Sequence, residues 1–471
     1  MSLPTPPSSQ ISDSPGGLPR VLGGTHAMAI VVGTIIGSGI FLVPSEMMRA
    51  VGSSGLVYLA WVVGGLLSLF GAMTYAELGA MMPFAGGEYV YLRGAYGDRT
   101  GFLYMWTWFA VAKPASIASV TSGLARTLGI FAAFHWLDTQ ALGGPLPVMW
   151  SQLFAIAATW IITGLNYLGI KKAGDFQVVF TVLKAILILV VAGFCFSSAL
   201  GSWANFGTSL PHATGGEITG GAGGFMIALI ATLWAYDGWN DLTMVAGEVK
   251  QPGRNLPLAL IGGLFVVGAL FMATNAAIQY ILPAAQIAAS PRPAVEALRI
   301  VAGPAGAALV AAGMALSIFV TLNGTIMSGA RIPFAAARDR LFFPRFGEVH
   351  PKFKSPAYSL VVQGLLSSVL LLVLGRFQQL FELAVFSEWL FYALTATTVF
   401  VYRHRHPEMA RPYKVWGYPI LPAVFVLCAA VVLYSSFVGN LQGSLIGSGL
   451  ILLGLPLYEW VKRRYQPPLS V

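Results

Sequence analysis

The stretch VVGTIIGSGIFLVP, Val31–Pro44, is apolar except for Thr34 and Ser38, yet glycine interrupts it at 33, 37 and 39. A glycine inside a helix costs about 0.5–1 kcal/mol relative to alanine. Two readings account for it. Gly33-x-x-x-Gly37 has the spacing that lets two helix backbones approach. Gly37-Ser38-Gly39 is equally a place for a helix to break. The rest of the chain favours the break.

The chain has 471 residues, 56% hydrophobic and only 10% charged, with a mean hydropathy of +0.73. A soluble domain carries about 25% charged residues, so lipid must be the solvent for most of this one. Twelve apolar segments can each cross a hydrocarbon layer of about 30 Å as a helix. They start near Ala27, Ser54, Thr100, Pro147, Ala173, Gly224, Leu258, Val301, Ala357, Leu380, Pro419 and Gly443. The alternating short strands of a membrane barrel are absent. The expectation is an all-α polytopic membrane protein with 12 transmembrane helices. Residues 1–24 are polar and rich in Pro and Ser, which reads as a disordered tail rather than a signal peptide. Residues 463–471 form a second tail. Cys195 and Cys428 both lie inside spans and read as core thiols.

The net charge of +9 follows the membrane, not nucleic acid. With twelve spans and a cytoplasmic N-terminus, 20 of the 27 basic residues fall on the cytoplasmic side and 5 opposite, Lys113 and Lys184 being within spans. This is the positive-inside pattern. It predicts a multi-pass protein of the plasma (bacterial inner) membrane with both termini cytoplasmic. No GxxxxGK[ST] cradles a nucleotide, and none of the six histidines forms HExxH. Neither an ATP-driven pump nor a metalloenzyme fits, and no cofactor or metal is expected. A secondary transporter or channel remains.

A counterpart to the opening stretch begins at Ala231: ATLWAYDGWNDLTMVAGEVKQPGRNLP. Asp237, Gly238, Asn240 and Asp241 crowd the middle of span 6. An aspartate at a helix centre in lipid costs about 2.5–3.5 kcal/mol, and such residues face cavities. Spans 1 and 6 are thus both interrupted at mid-depth, which points to a transporter site. Free N–H groups at a half-helix start suit a carboxylate, and freed carbonyls suit an ammonium. An amino acid carries both.

GTIIGSGIF followed far downstream by AYDGWN and AGEVKQPGRNLP resembles the amino acid–polyamine–organocation superfamily, and within it the prokaryotic L-type amino-acid transporters. AELGAMMPFAGGEYVYLRGAYG, KPAS and GARIPFAAARDRLFFPRF extend the resemblance through nearly the whole chain. It implies a LeuT-type five-plus-five inverted repeat with helices 1 and 6 broken. Residues 25–200 would hold spans 1–5, residues 220–403 their inverted copy, and residues 415–462 two further helices. It also implies sodium-independent transport of L-amino acids, often by exchange. The site residues would be Ile35, Ile36, Ser38, Gly39 and Ile40 on span 1, and Trp234, Ala235, Asp237 and Asn240 on span 6. The carboxylate would rest on the N–H groups of Ser38, Gly39 and Ile40. The α-amino group would meet the carbonyls of Ile35, Trp234, Ala235 and Asp237.

Relatives with large neutral substrates carry Phe where Trp234 stands. The larger ring, as a gate, implies a smaller pocket and small neutral substrates. Many relatives have a small residue in place of Asp237. A carboxylate there can pair with the substrate ammonium, titrate or meet a cationic side chain, so a proton-coupled symporter and a cationic amino-acid or polyamine carrier stay open. From a different class, an amino-acid sensor without transport also stays open. Animal members join a heavy chain through a cysteine in the span 3–4 loop. FHWLDTQALGGP has none, so no disulfide-linked partner is expected.

Lys184, in FTVLKAILILVV, reads as a surrogate for the cation of sodium-coupled relatives, with snorkelling to the interface as the alternative. Lys113 either lines the cavity or caps a local break. Asn240 holds the break or the substrate. Asn323 and Thr325 line the cavity or bond between helices. No role is assigned to Glu388. Residues 283–304 read as an amphipathic extracellular helical loop, either lid or connector.

Overall fold

The computed structural model describes residues 17–37, 39–129, 131–143, 148–210, 220–373, 377–439 and 441–465. Ser38, residues 1–16 of the first tail and residues 466–471 of the second lie outside them.

The described chain is helical but for one short hairpin. The first interrupted span is α1 (Gly24–Ile35) and α2 (Gly39–Val51). Then come α3 (Ser54–Met81), α4 (Glu88–Tyr96), α5 (Asp98–Thr107) and α6 (Lys113–Leu128), with a π-helical turn at Trp108–Ala112. Pro114 lacks an N–H, so the carbonyl one turn back loses its α-helical donor. A π turn absorbs that defect. A hairpin pairs Gln140–Leu142 (β1) with Val148–Met149 (β2). Next are α7 (Trp150–Tyr167), α8 (Ile170–Ser197), α9 (Gly221–Ala235), α10 (Asp241–Met244), α11 (Pro252–Ile281) and α12 (Ala284–Ala289). The chain continues with α13 (Pro293–Gly329), α14 (Arg331–Arg338), α15 (Ala357–Val373) and α16 (Phe377–Arg405). It closes with α17 (Ile420–Gly439), α18 (Leu441–Leu452) and α19 (Gly454–Tyr465).

Six helices among the described residues are long and apolar enough to cross a membrane, and α1, α9 and α15 are shorter apolar helices. The interruptions explain part of this: they cut two spans to 12 and 15 residues. The loop at 283–304 is helical, in α12 and the start of α13. Gly303, at φ +64°, kinks α13 before Pro304.

The helices are amphipathic inside out. On α8, Val179, Val182, Leu183, Ile186, Leu189 and Val190 are exposed along one stripe, while Gln177, Thr181 and Lys184 on the opposite stripe are buried. Spacings of three and four put each set on one face. Only lipid makes an outward apolar face favourable. The protein is therefore a multi-pass membrane protein, with α1 in its interior against α8, α11 and α13, and α2 against α9.

The tail is anchored where it enters α1. Leu22 N–H donates to Glu248 O (2.9 Å), and Lys250 N–H donates to Leu22 O (2.8 Å). Buried Leu18 and Leu22 are the apolar residues that hold it.

Candidate functional site

Span 1 breaks where glycine density is highest. Ile36 leaves the helical region at ψ 88°, and the chain becomes helical again at Gly39. The two readings of the glycines divide between them. Gly33 is a packing glycine: a Cβ there would collide with Gln177 and Thr181 of α8. Gly37 lies in the break itself. Span 6 breaks between Ala235 and Asp241, with Gly238 at φ +104°. A Cβ on Gly238 would stand 3.0 Å from Thr34 Cγ2. Glycine is required there twice, by the backbone angle and by the approach of α1.

The two breaks share a cavity of about 120 Å³. From the expected site, Ile35, Gly39, Trp234, Ala235, Asp237 and Asn240 line it. Ile36 and Ile40 do not; their side chains are buried in the core. A helix's first turn leaves its N–H groups without intrahelical acceptors, and α2 presents this turn at the break. The carbonyls opposite are partly used: Ile35 O accepts from Gly37 N–H (2.8 Å) and Trp234 O from Asp237 N–H (3.1 Å). Trp234 O also accepts from Tyr236 N–H at the end of α9, whereas Ile35 O keeps a second lone pair.

Lys184 is 1% exposed. Its Nζ donates to Gly33 O (2.6 Å) and Ile36 O (2.7 Å) at the end of α1. Ser317 Oγ of α13 donates to the same Ile36 O (2.7 Å), and Thr321 Oγ1 lies 3.3 Å from both carbonyls. An ammonium and two hydroxyls thus gather carbonyls that the break sets free. This geometry leaves no room for snorkelling.

Lys113 both lines the cavity and follows the π turn, and its Nζ pairs with Asp241 Oδ1 at 2.5 Å. The two side chains are 6% and 1% exposed, so the pair is fully enclosed. Asp237 Oδ1 accepts from the Tyr392 hydroxyl (2.9 Å), whose oxygen is 3.1 Å from Asn240 Oδ1. Asn240 Nδ2 donates to Glu88 Oε1 (2.8 Å), tying the break to α4. Glu388 is buried, lines the cavity and contacts the Asp237 carboxyl. Thr325 also lines the cavity, whereas Asn323 bonds between helices, to Asn166, Ala173 O and Gln177.

Sequence reasoning missed the α6 wall, Ser116, Ser119, Val120 and Gly123, and Tyr392 of α16. A signal existed for α6: these positions recur at spacings of three and four, one face of a helix.

The sequence profile of the amino acid permease family matches residues 22–456. The chain is 32% identical over 454 residues to the serine/threonine exchanger SteT of Bacillus subtilis (strain 168), across 95% of this chain and 98% of that protein. It is 32% identical over 418 residues to the b(0,+)-type amino acid transporter 1 of Rattus norvegicus, across 88% and 82%. It is 28% identical over 443 residues to the Asc-type amino acid transporter 1 of Mus musculus, across 94% and 81%.

Proposed function

The chain belongs to the amino acid permease family, in the L-type branch of the amino acid–polyamine–organocation superfamily, and from that membership we propose that it exchanges small neutral L-amino acids across the bacterial inner membrane, independently of sodium, by alternating access. The observation that carries this reading is the pair of breaks facing one cavity. The substrate carboxylate sits on the N–H groups of Ser38, Gly39 and Ile40. Its ammonium meets the carbonyls of Ile35, Trp234, Ala235 and Asp237. Trp234 acts as the gate. Lys184 does the work of a bound sodium ion by tying α1 to α8, beside the Ser317 and Thr321 hydroxyls that tie α1 to α13. The cavity of about 120 Å³ lies below the 300–1,000 Å³ usual for ligand pockets, which favours a small side chain. The relative from Bacillus subtilis is named for exchange of serine and threonine, both small and neutral.

The architecture that goes with this function is a twelve-span, five-plus-five inverted repeat, residues 25–200 against 220–403, with residues 415–462 appended and both termini cytoplasmic. Contacts of α3 with α11, α6 with α13 and α7 with α15 support it. Each is a pairing of elements that such a two-fold relation would make equivalent.

Counterflow tests the reading. Vesicles holding the purified protein and internal alanine should take up labelled alanine, and empty vesicles should not, with choline replacing sodium throughout. Uptake that needs sodium refutes it. A second reading, proton-coupled symport, is favoured by the contact of Glu388 with Asp237, two carboxyl groups sharing one cavity. Uptake into empty vesicles driven by an inward proton gradient would decide for it.

A further inference from the structure

Six hydroxyl side chains line the cavity: Thr34, Ser116, Ser119, Thr321, Thr325 and Tyr392. Four are engaged within the protein. Thr34 Oγ1 donates to Ile30 O (2.6 Å), Thr325 Oγ1 to Thr321 O (3.1 Å), Thr321 to the carbonyls at the end of α1, and Tyr392 to Asp237. Ser116 and Ser119 have no hydrogen-bond partner among the described residues. Their helix does offer partners. Thr121 Oγ1 donates back to Ile117 O and Thr127 Oγ1 to Gly123 O, both at 2.8 Å. Ser119 is nonetheless 5% exposed and turned to the cavity. Both hydroxyls are reached by the open space of the cavity and are free to bond a ligand there.

We propose that Ser116 and Ser119 form the substrate's side-chain subsite, and that this subsite takes a short side chain bearing a hydroxyl. The inference rests on the amino-acid exchange reading and deepens it. With the substrate's backbone groups held at the two breaks, α6 is the wall its side chain faces. Ser116, Ser119, Val120 and Gly123 fall on one face of α6. A serine hydroxyl both donates and accepts, which matches another hydroxyl. Val120 gives a methyl group an apolar contact, and Gly123 leaves room for it. An acidic side chain would meet Asp237 and Glu388, and the Lys113 ammonium that could answer it is held by Asp241.

The test is competition in counterflow, with labelled alanine as tracer and the full chain in vesicles. Serine against alanine and threonine against valine each differ by the hydroxyl. The wild-type protein should prefer the hydroxylated member by roughly tenfold in each pair. Ser119→Ala should reduce both ratios, and the double variant Ser116→Ala/Ser119→Ala should bring them close to one. Alanine is a good helix former, so α6 is kept, and an unchanged elution profile and thermal midpoint verify folding. Unchanged ratios in the double variant, or no preference in the wild type, overturn the subsite while leaving exchange standing. Absence of counterflow for every amino acid in the wild type overturns both.

Discussion

Replacing Lys184 with Met tests the role of the buried ammonium with side-chain length nearly kept. Two charge-assisted hydrogen bonds are lost, at 2.6 and 2.7 Å. Bonds to charged groups contribute about 1.5–3 kcal/mol each, hence about 3–6 kcal/mol for the pair. Burying the ammonium costs several kcal/mol in return, so the overall stability of the fold should change little. The loss instead falls on one joint. Both bonds end on α1, at Gly33 and Ile36, and Lys184 stands on α8. Ser317 and Thr321 still hold the same carbonyls from α13. Loosening the α1–α8 joint by about 3 kcal/mol lowers the ratio of docked to undocked break more than a hundredfold, and substrate affinity falls with the docked fraction. Quenching of tryptophan fluorescence, with Trp234 in the cavity, reads affinity, and thermal unfolding reads stability. The expected result is binding weakened by up to a hundredfold with the unfolding midpoint shifted by only a few degrees. Wild-type affinity in Lys184→Met would refute the reasoning.

Three further outcomes are expected. Gly238→Ala should abolish counterflow in a protein that still folds, because φ +104° and a contact of 3.0 Å with Thr34 both oppose a Cβ; such strain costs about 1–3 kcal/mol, and normal counterflow would refute it. Trp234→Ala should let leucine and phenylalanine compete with alanine, because the gate ring leaves the cavity; an unchanged competition series would remove Trp234 from the gate. Lys113→Met should lower the thermal stability by about 3–5 kcal/mol by leaving Asp241 charged and unpaired, while Lys113→Met/Asp241→Asn should recover most of it. Equal unfolding midpoints for the two variants would show that the pair is not what matters.

The membrane class and the interruptions were legible in short windows of sequence. Lipid as solvent follows from charge content, and a break follows from glycines beside polar residues at mid-span, since both depend on local backbone freedom and solvation. The anchoring of Leu22 in a tail read as disordered was not legible, because its partners Glu248 and Lys250 lie on a distant loop. Nor could sequence tell Gly33 from Gly37. The two are equivalent by spacing, and only the faces of α8 and α13 against α1 assign one to packing and the other to the break. Asn323 and Thr325 make the same point: two residues apart on one helix, they point about 200° apart, so one bonds between helices and the other faces the cavity. Lys184 was visible as a charge in lipid, but its acceptors lie about 150 positions away on α1. Composition and periodicity therefore determined that this chain spans a membrane and where its backbone gives way. Only helix packing, which brings faces distant in sequence into one register, decided which hydroxyls and carboxylates share the cavity.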